Sequence, residues 1–88
     1  MMILKPAARF DQSLAALDPK SQKAVAKALR LLLNDPHHPS LRIRKMEGYF
    51  YVFEASANMD MRITFHYEKP DTIILRNCGH HDQTLSKP

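Results

Sequence analysis

Residues 61–68, MRITFHYE, decide the fold class of this 88-residue chain. Apolar and polar side chains alternate along them without a break, which is typical of a β-strand with one buried and one solvent-facing side. The apolar positions are Met61, Ile63, Phe65 and Tyr67, and the polar positions are Arg62, Thr64, His66 and Glu68. We therefore predict a strand here, in a sheet whose two faces differ.

Further strands are predicted on both sides of this one. Residues 49–55 and 72–78 are rich in aromatic and β-branched side chains, and residues 41–44 alternate as Leu-Arg-Ile-Arg. Turn signals at Glu47-Gly48 and Lys69-Pro70-Asp71 separate these stretches. Because the connections are short, the strands should form an antiparallel meander.

The first 40 residues have helical periodicity after a short apolar start. Met2-Ile3-Leu4, closed by Pro6, predicts an edge strand. Helices are then expected over about residues 7–16 and 19–33, with Pro19 at the first helical position. The predicted fold is one α+β domain over residues 1–88, in which residues 83–88 are expected to be loosely ordered. An N-terminal strand and helical hairpin pack on one face of a mainly antiparallel sheet of about four to five strands.

Composition limits the classes of protein that fit. The chain is 44% hydrophobic and 25% charged, which is ordinary for a globular domain. Its apolar stretches are far shorter than the roughly 20 residues that a membrane helix needs, and the N-terminus has no secretory signal pattern, so we expect a cytoplasmic protein. The single cysteine, Cys78, excludes an internal disulfide and suits a buried apolar position. The formal charge of +4 and the pI near 9.5 favour a polyanion or an acidic protein as partner.

Basic residues occupy the face of the sheet that the helices are expected to leave open. Arg62 and His66 point away from the apolar side of their strand, and Arg42 and Arg44 do the same on theirs. Such a face suits an RNA backbone, although an ordinary solvated face shows the same pattern. The lysines and arginine of the second helix, Lys20, Lys23, Lys27 and Arg30, are the usual solvated side of an amphipathic helix.

The histidine doublets His37-His38 and His80-His81 are the other candidates for chemistry, because histidine exchanges protons near neutral pH. Adjacent histidines on extended backbone point in opposite directions, which disfavours a zinc site. The first doublet lies between prolines and fits a plain exposed loop. His81 follows Gly79 at a strand end and precedes Asp82, whose carboxylate could orient the imidazole.

Taken together, these features resemble the RelE/ParE toxin superfamily of bacterial toxin-antitoxin modules. The resemblance covers nearly the whole chain and is closest to the YafQ-like branch. The matching stretches are Asp35-Pro36-His37-His38-Pro39-Ser40-Leu41, Lys45-Met46-Glu47-Gly48, Asp60-Met61-Arg62-Ile63, and Asp71-Thr72-Ile73-Ile74-Leu75 continuing to Gly79-His80-His81-Asp82.

The resemblance implies an mRNA endonuclease that acts with or without the ribosome, uses no metal or cofactor, and is held inactive by a cognate antitoxin in a hetero-oligomer. In that chemistry the ribose 2′-hydroxyl attacks the adjacent phosphate. By position, Arg62 matches a phosphate-contacting arginine and His81 the basic catalytic residue, while His38 and Asp60 match further active-site positions. The remaining candidates for RNA contact are Arg42, Arg44, Lys45, His66, Asp82 and Leu85.

Several positions depart from the family pattern. Ser56 and Leu85 stand where a histidine and an RNA-contacting aromatic residue are expected, and Phe53 and Ala55 replace two lysines. Two alternatives to a nuclease therefore stay open. One is a ParE-like toxin that inhibits DNA gyrase by binding it, and the other is a catalytically degraded toxin that acts as a binding module.

Overall fold

The computed structural model describes residues 2–88. Over this part of the chain it contains five strands, three α-helices and one short 3-10 helix at Pro39–Leu41. The elements are β1 (Ile3–Pro6), α1 (Ala8–Ala15), α2 (Pro19–Asn34), β2 (Arg44–Lys45), β3 (Phe53–Ser56), β4 (Met61–Glu68), β5 (Thr72–His80) and α3 (His81–Ser86).

The strands form one sheet in the order β1-β5-β4-β3-β2. β1 pairs with β5 in parallel, and the other neighbours are antiparallel. The predicted α+β class, the meander and the edge position of the N-terminal strand are confirmed. None of the described helices is long and apolar enough to cross a membrane.

The helical hairpin covers one face of the sheet, as predicted. Phe10 of α1 and Val25 and Leu32 of α2 are buried against Ile63 and Phe65 of β4 in one hydrophobic cluster. Burying side chains of this size contributes about 1.5–3 kcal/mol each to stability. Cys78 is also buried there, and burial raises the pKa of its thiol to about 11, so it stays protonated.

We call the opposite side of the sheet the outer face. Arg62, Thr64 and His66 define it on β4, and Ser56 and Glu54 lie across from Arg62 and Thr64 on β3. The pairing with β5 shifts by one residue between Thr64 and Phe65, because Arg76 is inserted there as a β-bulge.

The expectation that residues 41–44 form a strand is largely wrong. Leu41 ends the 3-10 helix, Arg42 adopts a left-handed conformation with φ of 46°, and pairing begins only at Arg44. Pro39 starts this helical turn, and the His38 ring caps it by accepting a hydrogen bond of 3.1 Å from the Ser40 amide.

The strand predicted over residues 49–55 begins later, at Phe53. Residues 49–51 belong instead to the loop between β2 and β3. This loop turns at Gly48, whose φ is 85°, and is closed by a 2.8 Å bond from the Met46 amide to the Val52 carbonyl. Aromatic side chains therefore indicated a strand where the chain places them on a loop.

The outer face is not free of helices, which corrects two expectations. Residues 83–88 were expected to be loosely ordered, yet α3 folds back over β4 and β5 and buries Thr84. The following residues are tied to β5, since Asn77 Nδ2 donates to the Lys87 carbonyl at 3.0 Å and Arg76 Nε to the Pro88 carbonyl at 3.1 Å. Only part of the outer face is thus left open.

Candidate functional site

The corner between β5 and α3 holds His81 in a fixed position. Its amide donates a 2.7 Å hydrogen bond to the Asp60 carbonyl on the β3–β4 loop, and its ring Nδ1 lies 3.0 Å from Asp82 Oδ1. A carboxylate only accepts hydrogen bonds, so Nδ1 is the donor and Nε2 is the ring nitrogen available for proton transfer. The His81 side chain is 47% exposed, so a substrate can reach it. Asp60, His81 and Asp82 line one pocket.

Gly79 allows the chain to make this corner. Its φ is 146°, and a Cβ at this position would lie 3.0 Å from the Thr84 hydroxyl oxygen. Gly79 is also the β5 partner of Arg62, so α3 packs on the outer face directly beside that arginine's strand. The corner between β5 and α3 and the Arg62 side chain therefore lie at the same end of the sheet.

Arg62 anchors the β3–β4 loop through one guanidinium nitrogen. Its Nη1 lies 2.8 Å from the Asn58 carbonyl oxygen, 3.1 Å from that of Met59 and 3.0 Å from that of Met61. Within the described chain these bonds use Nη1 alone, which leaves Nη2 and Nε for an acceptor such as a phosphate.

A groove runs from Arg62 toward the 3-10 helix. It is lined by Ser40, Arg42, Ser56, Ala57, Asn58, Met59 and Arg62. The structure therefore brings Arg42 and Arg62 together in one groove, and Ser56, at the position where a histidine was expected, lines the same groove.

His38 lies in a different pocket from His81, beside Tyr67 and Ile43. Its Nδ1 is 2.8 Å from the Ser40 hydroxyl, and Ser40 in turn lines the Arg62 groove. The structure thus places His38 next to this groove through Ser40, and not beside His81.

Arg44 and Lys45 were expected to act together with Arg42 and Arg62, but the structure places them differently. Arg44 Nε forms a 3.2 Å ion pair with Oε1 of the buried Glu54, which offsets its charge. Lys45 pairs with Phe53, whose ring stacks on Phe65 on the helix side of the sheet, so it lies on the side opposite to Arg44. Leu85 is half-buried on α3.

His66 belongs to a cluster that the sequence did not reveal. Its Nδ1 accepts a hydrogen bond of 3.0 Å from Arg76 Nη1, and the Arg76 guanidinium lies 5.4 Å from the centre of the Tyr51 ring. Burial, and then the charge of Arg76, lower the pKa of His66, which is therefore neutral at pH 7. The one signal in the sequence is Arg76 itself, a cation that directly follows the apolar run Ile73-Ile74-Leu75.

Among residues 2–88 no group of three or more His, Cys, Asp and Glu side chains is arranged to hold a metal ion. The site described above consists of Arg42 and Arg62, together with His81 and the carboxylates of Asp60 and Asp82. These can bind an anionic substrate and exchange a proton with it.

No protein-family model matches the chain, and no curated protein matches it significantly. Solved structures do match. YafQ from E. coli strain BL21(DE3) superposes with a TM-score of 0.77 at 9% identity, over 96% of this chain and 98% of its own. This is the fold of the YafQ and RelE toxins.

Two further structures agree with that assignment of the fold. RelE in the RelB-RelE antitoxin-toxin complex of Methanococcus jannaschii has a TM-score of 0.73 at 22% identity, covering 98% of this chain and 100% of that one. A metal-bound toxin from Helicobacter pylori has a TM-score of 0.74 at 20% identity, over 94% and 98% of the two chains. The RelE/ParE resemblance seen in the sequence is confirmed at the level of the YafQ/RelE fold.

Proposed function

We propose that the chain is the toxin of a type II toxin-antitoxin pair and cleaves mRNA at the corner between β5 and α3. The observation that supports this most is the placement of His81, fixed by Asp60 and Asp82 at the same sheet end as Arg62. The YafQ/RelE fold supports it independently.

The roles follow from the chemistry of each group. The 2′-hydroxyl oxygen attacks the adjacent phosphorus and gives up its proton to solvent water, and the bond from phosphorus to the 5′-oxygen breaks, leaving a 2′,3′-cyclic phosphate. Protonated His81 supplies a proton to the departing 5′-oxygen through Nε2, while Asp82 stabilises the imidazolium by accepting from Nδ1. Arg62 and Arg42 stabilise the charge that builds up on the phosphate oxygens.

A cognate antitoxin is the second partner that we propose. RelE of Methanococcus jannaschii was solved with its antitoxin RelB bound. The basic surface of this chain, with a pI near 9.5, suits an acidic segment of such a partner as well as RNA.

Cleavage of a defined mRNA by the purified chain, with and without translating ribosomes, tests the nuclease. We expect His81→Gln to slow cleavage about 10²- to 10⁴-fold, the usual contribution of a positioned acid or base. His37→Gln, which changes another exposed histidine, is the matched control and should cleave at the parental rate. A parent chain that arrests growth while leaving mRNA intact in both assays would rule the proposal out.

Two observations favour an alternative function, inhibition of DNA gyrase. Leu85 is half-buried, and Ser56 stands where a histidine was expected. A toxin that inhibits DNA gyrase by binding it needs neither an aromatic residue on α3 nor a histidine in the groove. In that case His81→Gln would be as toxic as the parent, and induction would cause DNA damage while translation continued.

A further inference from the structure

The loop between β2 and β3 presents aromatic rings to solvent. Phe50 is 83% exposed and Tyr51 is 51% exposed. The loop is short and fixed at its base by the 2.8 Å bond from the Met46 amide to the Val52 carbonyl. The rings are therefore displayed by an ordered loop, and exposed aromatic rings of this size on a small protein indicate a contact surface.

A permanent cation lies beside these rings. The Arg76 guanidinium is held 5.4 Å from the centre of the Tyr51 ring, by His66 on Nη1 and by the Pro88 carbonyl on Nε. Tyr51 in turn meets the Phe50 ring edge-to-face at 5.8 Å. The rings and the guanidinium thus form one continuous surface.

This surface lies on the same outer face as Arg62, with the fully buried Thr64 between them on β4. Tyr51 contacts His66 at 5.6 Å between ring centroids, and His66 and Arg62 point to the same side of β4. Four residues of strand separate them by roughly 13 Å, at about 3.3 Å per residue. An extended RNA strand covers that distance within a few nucleotides.

We propose that Phe50, Tyr51 and Arg76 form a stacking subsite for a nucleotide of the single-stranded RNA whose cleaved phosphate lies at Arg62. This inference rests on the proposed function and adds a substrate-binding site to it. An exposed π-face beside a fixed guanidinium is the combination that single-stranded nucleic acids use, with the base on the ring and the phosphate near the cation. A protein segment that covered the same rings would have to desolvate Arg76 as well.

The test is the affinity for a fluorescein-labelled single-stranded RNA made resistant to cleavage by 2′-O-methyl groups. Phe50→Leu keeps an apolar side chain but removes the aromatic face, and we expect the Kd to rise about tenfold. Phe50→Trp should bind at least as tightly as the parent. Leu33→Ala, which removes another exposed apolar side chain at the end of α2, is the matched control and should leave the Kd unchanged.

RNA that lacks one base tests directly whether Phe50 stacks on a base. If Phe50 stacks on a base, one abasic substitution along the RNA should weaken binding by the parent chain and have no further effect in Phe50→Leu. Equal Kd values for the parent and Phe50→Leu would overturn the subsite, as would a loss confined to antitoxin binding. Because the RNA is uncleavable, this outcome is independent of His81, so the nuclease and the subsite can fail separately.

Discussion

Gly79 satisfies two constraints that no other residue type meets together. Its φ of 146° lies in a region that side chains with a Cβ rarely adopt, and the Thr84 hydroxyl occupies the space where that Cβ would lie. Gly48 also has a positive φ, of 85°, but nothing lies within 4 Å of its added Cβ. Comparing substitutions at the two glycines therefore separates the cost of backbone strain from the cost of the steric contact with α3.

We therefore expect Gly79→Ala to lower the free energy of unfolding by about 1–3 kcal/mol or more, because the cost of strained backbone adds to the contact with Thr84. Gly48→Ala, the control, should cost about 1–2 kcal/mol from backbone strain alone. Urea denaturation of both variants measures the difference. A Gly79→Ala chain as stable as Gly48→Ala would show that α3 does not press on β5 at this point.

At the same scale, the sequence indicated some site residues and missed others. The contact of His81 with Asp82 joins neighbours in the chain, so adjacency alone could suggest it. The contact of Arg76 with Tyr51 depends on a bulge in β5 and on the course of a loop 25 positions away, and no local pattern encodes either.

Among the elements, β4 and β5 were predictable because their periodicity and their pairing agree. β4 has the predicted bounds, Met61–Glu68. Residues 41–44 have the same alternation, yet Leu41 reaches the core from a 3-10 turn, since burial of a side chain does not require a strand. α3 was missed because its six residues bury only Thr84 and so show no apolar stripe.

Asn77 connects α1 and the residues that follow α3 to β5. Its Oδ1 accepts from the Ser13 hydroxyl of α1 at 2.6 Å and from the Cys78 amide at 2.9 Å, while Nδ2 donates to the Lys87 carbonyl at 3.0 Å. One buried amide thus links α1, β5 and the residues after α3.

We expect Asn77→Ala to lower the free energy of unfolding by about 1–3 kcal/mol and to speed amide hydrogen exchange in residues 81–88, because buried polar groups lose their partners. Ser13→Ala removes only the α1 link, so it should destabilise the chain without exposing residues 81–88. Hydrogen exchange followed by mass spectrometry distinguishes the two. Unchanged protection of residues 81–88 in Asn77→Ala would refute this role.

Across the whole molecule, cations that count equally toward the formal charge of +4 lie in different surroundings. Arg42 and Arg62 line one groove, Arg44 is paired with Glu54, and Lys27 lies exposed on α2. The sequence predicted a basic outer face from alternation, but the register that turns Lys45 to the other side and the ion pair of Arg44 are tertiary features.

Arg42→Gln and Lys27→Gln each lower the formal charge from +4 to +3, so they compare position at equal charge. If RNA lies in the groove, Arg42→Gln should reduce the slope of log Kd against log salt concentration by about 0.7, the value for one phosphate contact on a single strand. Lys27→Gln should leave that slope unchanged. Anisotropy titrations of uncleavable RNA at several salt concentrations measure both slopes. Equal changes in the two variants would assign RNA attraction to net charge and remove the groove as the binding site.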